Sequence, residues 1–207
     1  MGAIKDYPFK SKPGEPVWEL ATMHTPQGQW TVDEYLALTF STNRLIEYVD
    51  GVLEFPAMPT RTHQEIVWFL CTLLKAHVKP LGGDAWVAPI RVRVTKTRFR
   101  EPDIMVFLDK NDKRAANEFF DGADLVVEVV SPDEESHERD YVQKRKDYAA
   151  AGIPEYWIVD PNTRKITVLK LVKGKYTEHA TAGEGQKVTS ATLKGVQAEV
   201  TAVFTQS

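Results

Sequence analysis

Apolar and polar positions divide this chain into recognisable strands and helices. Leu125-Val126-Val127-Glu128-Val129-Val130 is a run of six with five apolar positions, the pattern of a strand buried on both faces. Ile66, Val67, Phe69, Leu70, Leu73 and Leu74 recur at helical spacing and predict a helix over 62–77, ended by Pro80 and Gly82-Gly83. Thr31 and Glu34 form a capping box that opens a short helix, through about residue 38. Asp50-Gly51 suits a tight turn with positive φ, so 44–55 reads as a hairpin. Residues 85–94 read as one strand and 103–108 as another, with 95–100 a turn between them and the polar, acidic 109–123 a loop or short helix. A helix is predicted over 136–151, closed by Gly152. A strand at 156–160 and a hairpin of 166–172 with 175–179 around Gly174 follow, and the weakly alternating 185–205 reads as one or two edge strands.

Helix, hairpin, helix, strands, helix, strands is the order of an α/β or α+β domain around a mixed central sheet flanked by helices, with extra hairpins. Residues 1–29, with Pro8, Pro13, Pro16 and Pro26, read as an irregular arm, and 30–207 as one domain. At 207 residues the chain can bury a substantial core.

The formal net charge of −3 excludes a chain that binds nucleic acid through bulk positive charge. The single cysteine, Cys71, excludes an internal disulfide framework and a cysteine zinc cluster. No apolar run is long enough for a membrane helix, so no membrane partner is expected. The N-terminus lacks the pattern of a secretory signal, and a cytoplasmic location is expected.

Glu128 carries the chemistry. An ionised carboxylate inside a buried strand costs several kcal/mol unless it is paired, hydrogen-bonded or bound to a metal. Asp103 on a neighbouring strand could share a hard cation such as Mg²⁺ with it. Alternatively, Asp103 merely begins a strand and Glu128 pairs with a core arginine. Asp140 and Lys144, four apart, share a helix face that Tyr148 extends, which by itself reads as a surface pair. Glu47 in the hairpin and His63 at a helix start could face the same cleft. Arg91, Arg93, Lys96, Arg98 and Arg100 form a basic row, either a track for a phosphate backbone or a solvated sheet face.

These motifs together resemble the Uma-two family. The resemblance rests on Glu47-Tyr48-Val49-Asp50-Gly51, His63, Pro102-Asp103-Ile104, the 125–132 stretch ending in Ser131-Pro132, Asp140 with Lys144 and Tyr148, and the stretch from Gly152 to Pro161 containing Glu155-Tyr156-Trp157. It runs in order from about Thr31 to Val172. That family, catalogued as a domain of unknown function and common in cyanobacteria, belongs to the PD-(D/E)XK restriction-endonuclease-like superfamily.

The resemblance implies a restriction-endonuclease-like core and hydrolysis of DNA phosphodiesters with Mg²⁺ or Mn²⁺. It implies Asp103 and Glu128 as metal carboxylates, Glu47 as the acid preceding them, and His63, Asp140 and Tyr148 as supporting residues. The superfamily places a lysine two residues after the glutamate, where this chain has Val130. Lys144 matches the place to which this family's lysine has moved, and it would polarise the attacking water or stabilise charge on the phosphate. Backbone contacts would come from Arg91, Arg93, Arg98 and Arg100. Fold-level analogy, with the apolar Tyr7, Phe9 and Trp18 of the arm, implies a homodimer. A different class remains open: a catalytically inactive nucleic-acid-binding or assembly module that retains the fold.

Overall fold

In the computed structural model, which describes residues 25–40, 42 and 44–205, the buried run lies at the centre of the main sheet. In chain order the elements are α1 (Val32–Phe40), β1 (Glu47–Val49), β2 (Val52–Glu54), α2 (Arg61–Val78), β3 (Asp84–Val87), β4 (Val92–Thr95), β5 (Arg98–Arg100), β6 (Ile104–Phe107) and β7 (Leu125–Val129). Then come α3 (Glu134–Glu138), a π-helical turn (Arg139–Gln143), α4 (Lys144–Ala150), β8 (Glu155–Asp160), β9 (Lys165–Val172), β10 (Lys175–Gly183), β11 (Lys187–Thr189), β12 (Gln197–Glu199) and α5 (Val200–Phe204). The main sheet runs β10-β9-β8-β7-β6-β3, and a smaller one runs β2-β1-β5-β4. Only β7 and β8 pair in parallel within the main sheet, because the α3–α4 crossover joins them.

Both faces of the main sheet are covered, which is why its central strands are continuously apolar. Ile66, Leu70 and Leu74 of α2 meet Leu125, Val127 and Val129 on one face. Val126, Val130 and Tyr156 meet Tyr148 of α4 on the other. Tyr35, Tyr48, Leu53 and Phe99 form a separate core under the small sheet.

The capping box is present: Thr31 N donates to Glu34 at 2.8 Å, and Glu34 N to the Thr31 hydroxyl at 3.3 Å. The Asp50-Gly51 turn has φ of 48° and 91°. A Cβ at Gly51 would lie 2.7 Å from the Gly28 carbonyl oxygen, so glycine is required there.

Three expectations need correction. Residues 85–94 are two strands in different sheets, interrupted around Pro89, which has no amide hydrogen to offer a ladder. The segment 95–100 is not only a turn: β5 occupies its second half and pairs with both β1 and β4. The tail ends in a helix, α5, because Glu199 caps it by accepting from Thr201 N and Ala202 N, while Val200, Val203 and Phe204 enter the main core. The arm residues Tyr7, Phe9 and Trp18 lie outside the described residues.

A buried acid fastens the C-terminal segment to the sheet. Glu155 accepts from Trp157 Nε1 at 2.5 Å, Ser190 Oγ at 2.9 Å and Thr192 N at 2.7 Å. Replacing Glu155 with alanine leaves these donors unsatisfied. The variant should lose about 3 kcal/mol of stability in urea unfolding, with an unchanged dependence on denaturant.

Candidate active site

The topology brings the separated acids together. Along β7, side chains alternate, so Glu128 shares a face with Val126 and Val130. The β6–β7 register pairs Ile104 with Val127, and one further step brings Asp103 level with Glu128. Asp103 Oδ2 accepts from Val129 N at 2.7 Å. His63 Nε2 lies 3.3 Å from the same oxygen. His63 is fixed in the first turn of α2, where its amide donates to the capping Thr60 hydroxyl at 3.2 Å. Glu47 enters from β1 and is fully buried.

Lys144 joins these acids. Its Nζ lies 2.8 Å from Glu128 Oε1, 3.1 Å from Glu47 Oε1 and 3.6 Å from Asp140 Oδ1. The Tyr148 hydroxyl donates to the same Glu128 Oε1. The surface-pair reading of Asp140 and Lys144 therefore fails: both are buried. The π turn helps to align them. Four residues of a straight α-helix overshoot a full turn by about 40°. The wider turn between Asp140 and Lys144 takes that drift back, so Asp140, Lys144 and Tyr148 all reach the sheet.

Their environments push the carboxylates apart. Burial raises Glu128 to about 8, with Lys144 opposing and Asp103 and Asp140 adding to the rise. Glu47 also resists ionisation through burial, but Lys144 and Arg100 outweigh this and hold it at about 2. Burial disfavours the Lys144 charge, yet Glu128, Glu47 and Asp140 raise its pKa, so it remains an ammonium. It can act as a charge and a donor, not as a base. His63 follows the same logic: burial lowers it, and Asp103 more than compensates, raising it.

The basic row is tied to other parts of the chain, and one of its members is internal. Arg100 is buried and binds Glu47 at 2.8 Å, Glu54 at 2.6 Å and Asp147 at 2.8 Å. It cannot contact a DNA backbone. Arg98 pairs with Asp50 and Asp147. Arg93 pairs with Asp121 at 2.6 Å and sits over the Phe119 ring. Arg91 donates to the Thr39 hydroxyl and sits over Tyr35 and Phe40. Each of the four has a partner within the chain, and burial removes Arg100 alone from the expected track. An arginine does neutralise a core glutamate, but it is Glu47, not Glu128.

Asp103, Glu128, Glu47, His63, Asp140 and Lys144 line one cleft of about 60 Å³, large enough for a few waters. Glu101 and Arg139, which sequence reasoning left without a role, line it too. The only available signal for Glu101 was its place in Glu101-Pro102-Asp103; Arg139 gave none before the π turn was known. Among the described residues, Glu101 Oε2 and His63 Nδ1 are buried without a hydrogen-bond partner.

No group of three His, Cys, Asp or Glu among the described residues has an arrangement that would enclose a metal. Mg²⁺ does not need one, since it binds through one or two carboxylates and keeps several waters. Asp103 and Glu128 fit that requirement. The hydrogen bonds to Asp103 fall on Oδ2 and those to Glu128 on Oε1, leaving one oxygen of each without a donor among the described residues.

The Glu47 charge should set the acid limb of stability. Its pKa is lowered from 4.5 to about 2, so it stabilises the fold above 4.5 and loses that contribution as pH falls towards 2. Glu47→Gln should be about 3 kcal/mol less stable than wild type at neutral pH. The gap should close below pH 4.5, as followed by denaturant unfolding across pH.

Among the described residues, no helix is long and apolar enough to cross a membrane. A crystal structure from Anabaena variabilis ATCC 29413, described as "a putative nuclease belonging to DUF820", superposes with a TM-score of 0.71 at 21% identity, covering 86% of this chain and 98% of that one. The likeness is one of fold, and with the mixed sheet and flanking helices it bears out the restriction-endonuclease-like architecture. An uncharacterised Synechocystis protein, slr1290, is 28% identical over 122 residues, which are 56% of this chain and 63% of that protein's length. The chain thus spans just under two-thirds of that relative. The Uma2 family model, described as "Putative restriction endonuclease", matches residues 32–201, and the chain belongs to that family.

Proposed function

We propose that this protein is a divalent-metal-dependent endonuclease that hydrolyses DNA phosphodiesters with an activated water. The observation that carries the reading is Lys144 Nζ at 2.8 Å from Glu128 Oε1. A lysine sixteen positions downstream of the glutamate fills the role that Val130 cannot.

In this reading Asp103 and Glu128 hold Mg²⁺ or Mn²⁺. The chemistry the ion supplies is a more acidic bound water and a counter-charge for the phosphate. The chain's own groups do the rest. Lys144, fixed as an ammonium, orients the attacking water and opposes the charge that develops on the phosphate. Glu47 holds Lys144 in place, Asp140 supports it from one turn earlier, and Tyr148 fixes the Glu128 rotamer. His63 holds Asp103. The reading includes one nuclease domain over 30–207 with an N-terminal arm, a cytoplasmic location and a homodimer.

A binding module that has lost catalysis is the second reading. Val130 at the superfamily's lysine position favours it, as does the engagement of Lys144 by three carboxylates.

Cleavage of supercoiled plasmid separates the two. Wild type should cut with Mg²⁺ or Mn²⁺, stop in chelator and resume when metal returns. Asp103→Ala should abolish cutting, and Lys144→Met should slow it by about 10²–10³-fold. Melting curves must show both variants folded. Metal binding by calorimetry without any cutting would instead establish the inactive module.

A further inference from the structure

Next to the carboxylate cleft lies a larger trough of about 470 Å³. Glu47, Pro56 and Arg139 line both hollows, so the two are neighbours. The outer wall of the trough carries Phe55, Glu54 and Gln143. Phe55 is 58% exposed, and it belongs to none of the three hydrophobic cores. Among the described residues it stacks on no other ring. An exposed aromatic side chain with no part in the core, lining a trough beside a polar cleft, is placed to meet something from outside.

We infer that this trough is a subsite for an unpaired nucleoside flanking the phosphate in the cleft. The inference rests on the nuclease reading for what lies in the cleft. The one acid the trough adds, Glu54, is already paired with Arg100 at 2.6 Å, so it tolerates a neutral base. Arg139 lines both hollows, held by Asp140 at 3.2 Å and by the Ser136 hydroxyl at 3.0 Å. The Phe55 ring offers a stacking face, as aromatic side chains do for single strands. The Gln143 amide offers a donor and an acceptor to a base edge. A base stacked inside a duplex cannot enter such a trough; an unpaired or extruded one can.

The test measures binding without chemistry. Fluorescence anisotropy would follow a labelled oligothymidylate of about twelve nucleotides, with no added divalent metal and at one low ionic strength. Parallel arms use an abasic oligomer of the same length and a blunt duplex. Phe55→Ala should weaken oligothymidylate binding about tenfold, and Phe55→Trp should restore it. Neither substitution should change binding of the abasic oligomer or the duplex. The subsite is overturned if Phe55→Ala binds oligothymidylate like wild type, if all three probes weaken equally, or if wild type does not bind the single strand. At this exposed position the substitution leaves the core untouched, and a melting curve checks that the variant is folded. A protein that cuts plasmid but binds the single strand independently of Phe55 loses only the subsite. One that never cuts but binds bases through Phe55 loses only the nuclease reading.

Discussion

The structure depends on one buried cation. Lys144 places an ammonium within 4 Å of Glu128, Glu47 and Asp140, at the buried wall of the cleft. Without it, three carboxylates would face one another with little solvent between them, and ionising all three would be strongly disfavoured. Arg100 plays the matching role behind the site, where it binds Glu47, Glu54 and Asp147. The two cations divide Glu47 between them: Lys144 takes Oε1 and Arg100 takes Oε2. Glu47 thus joins the small sheet to the helix that crosses the large one, beside the Arg98 and Arg100 links to Asp147.

The sharing also accounts for the opposite behaviour of two acids on the same lysine. Glu47 has Lys144, Arg100 and the Glu101 amide, the last at 3.0 Å, so its charge is fully compensated. Glu128 has Lys144 and the Tyr148 hydroxyl, and must bear the fields of Asp103 and Asp140. A carboxylate left under-compensated in this way is the one with most to gain from an added positive charge. A strongly perturbed acid in a cleft is a mark of a functional site, and Glu128 stood out in the sequence as the one acid in an apolar strand.

Local signals carried well in this chain. The capping box, the Asp50-Gly51 turn and the apolar run each depend on residues within a few positions of one another, and each formed as read. What failed depended on distant partners. The basic row looked like a strand face because alternation shows only that side chains point one way, not what stands opposite. Asp50, Asp121 and Asp147 supply the opposing charges from three other parts of the chain. The surface reading of Asp140 and Lys144 failed for the same reason, since four-residue spacing is identical on a solvated and a buried helix face. Resemblance to the family corrected that reading of Lys144 where residue chemistry alone did not. It gave no warning that Arg100 is internal.

In the proposed reading, a lysine on the helix in place of one on the strand changes what the site requires of the fold. A lysine two residues after Glu128 would be positioned by β7 itself, with no help from other elements. Lys144 reaches Glu128 only if α4 packs against the sheet through Tyr148 and if the π turn sets its rotation. It also needs Glu47, which arrives on β1 of the other sheet. The constellation is thus assembled from β7, α4 and the hairpin, and no two of these complete it. Loosening the hairpin would free one side of the lysine and shift its charge towards Glu128, altering the compensation on which the site depends. In this chain the electrostatics of the cleft and the docking of the small sheet on the large one are a single arrangement.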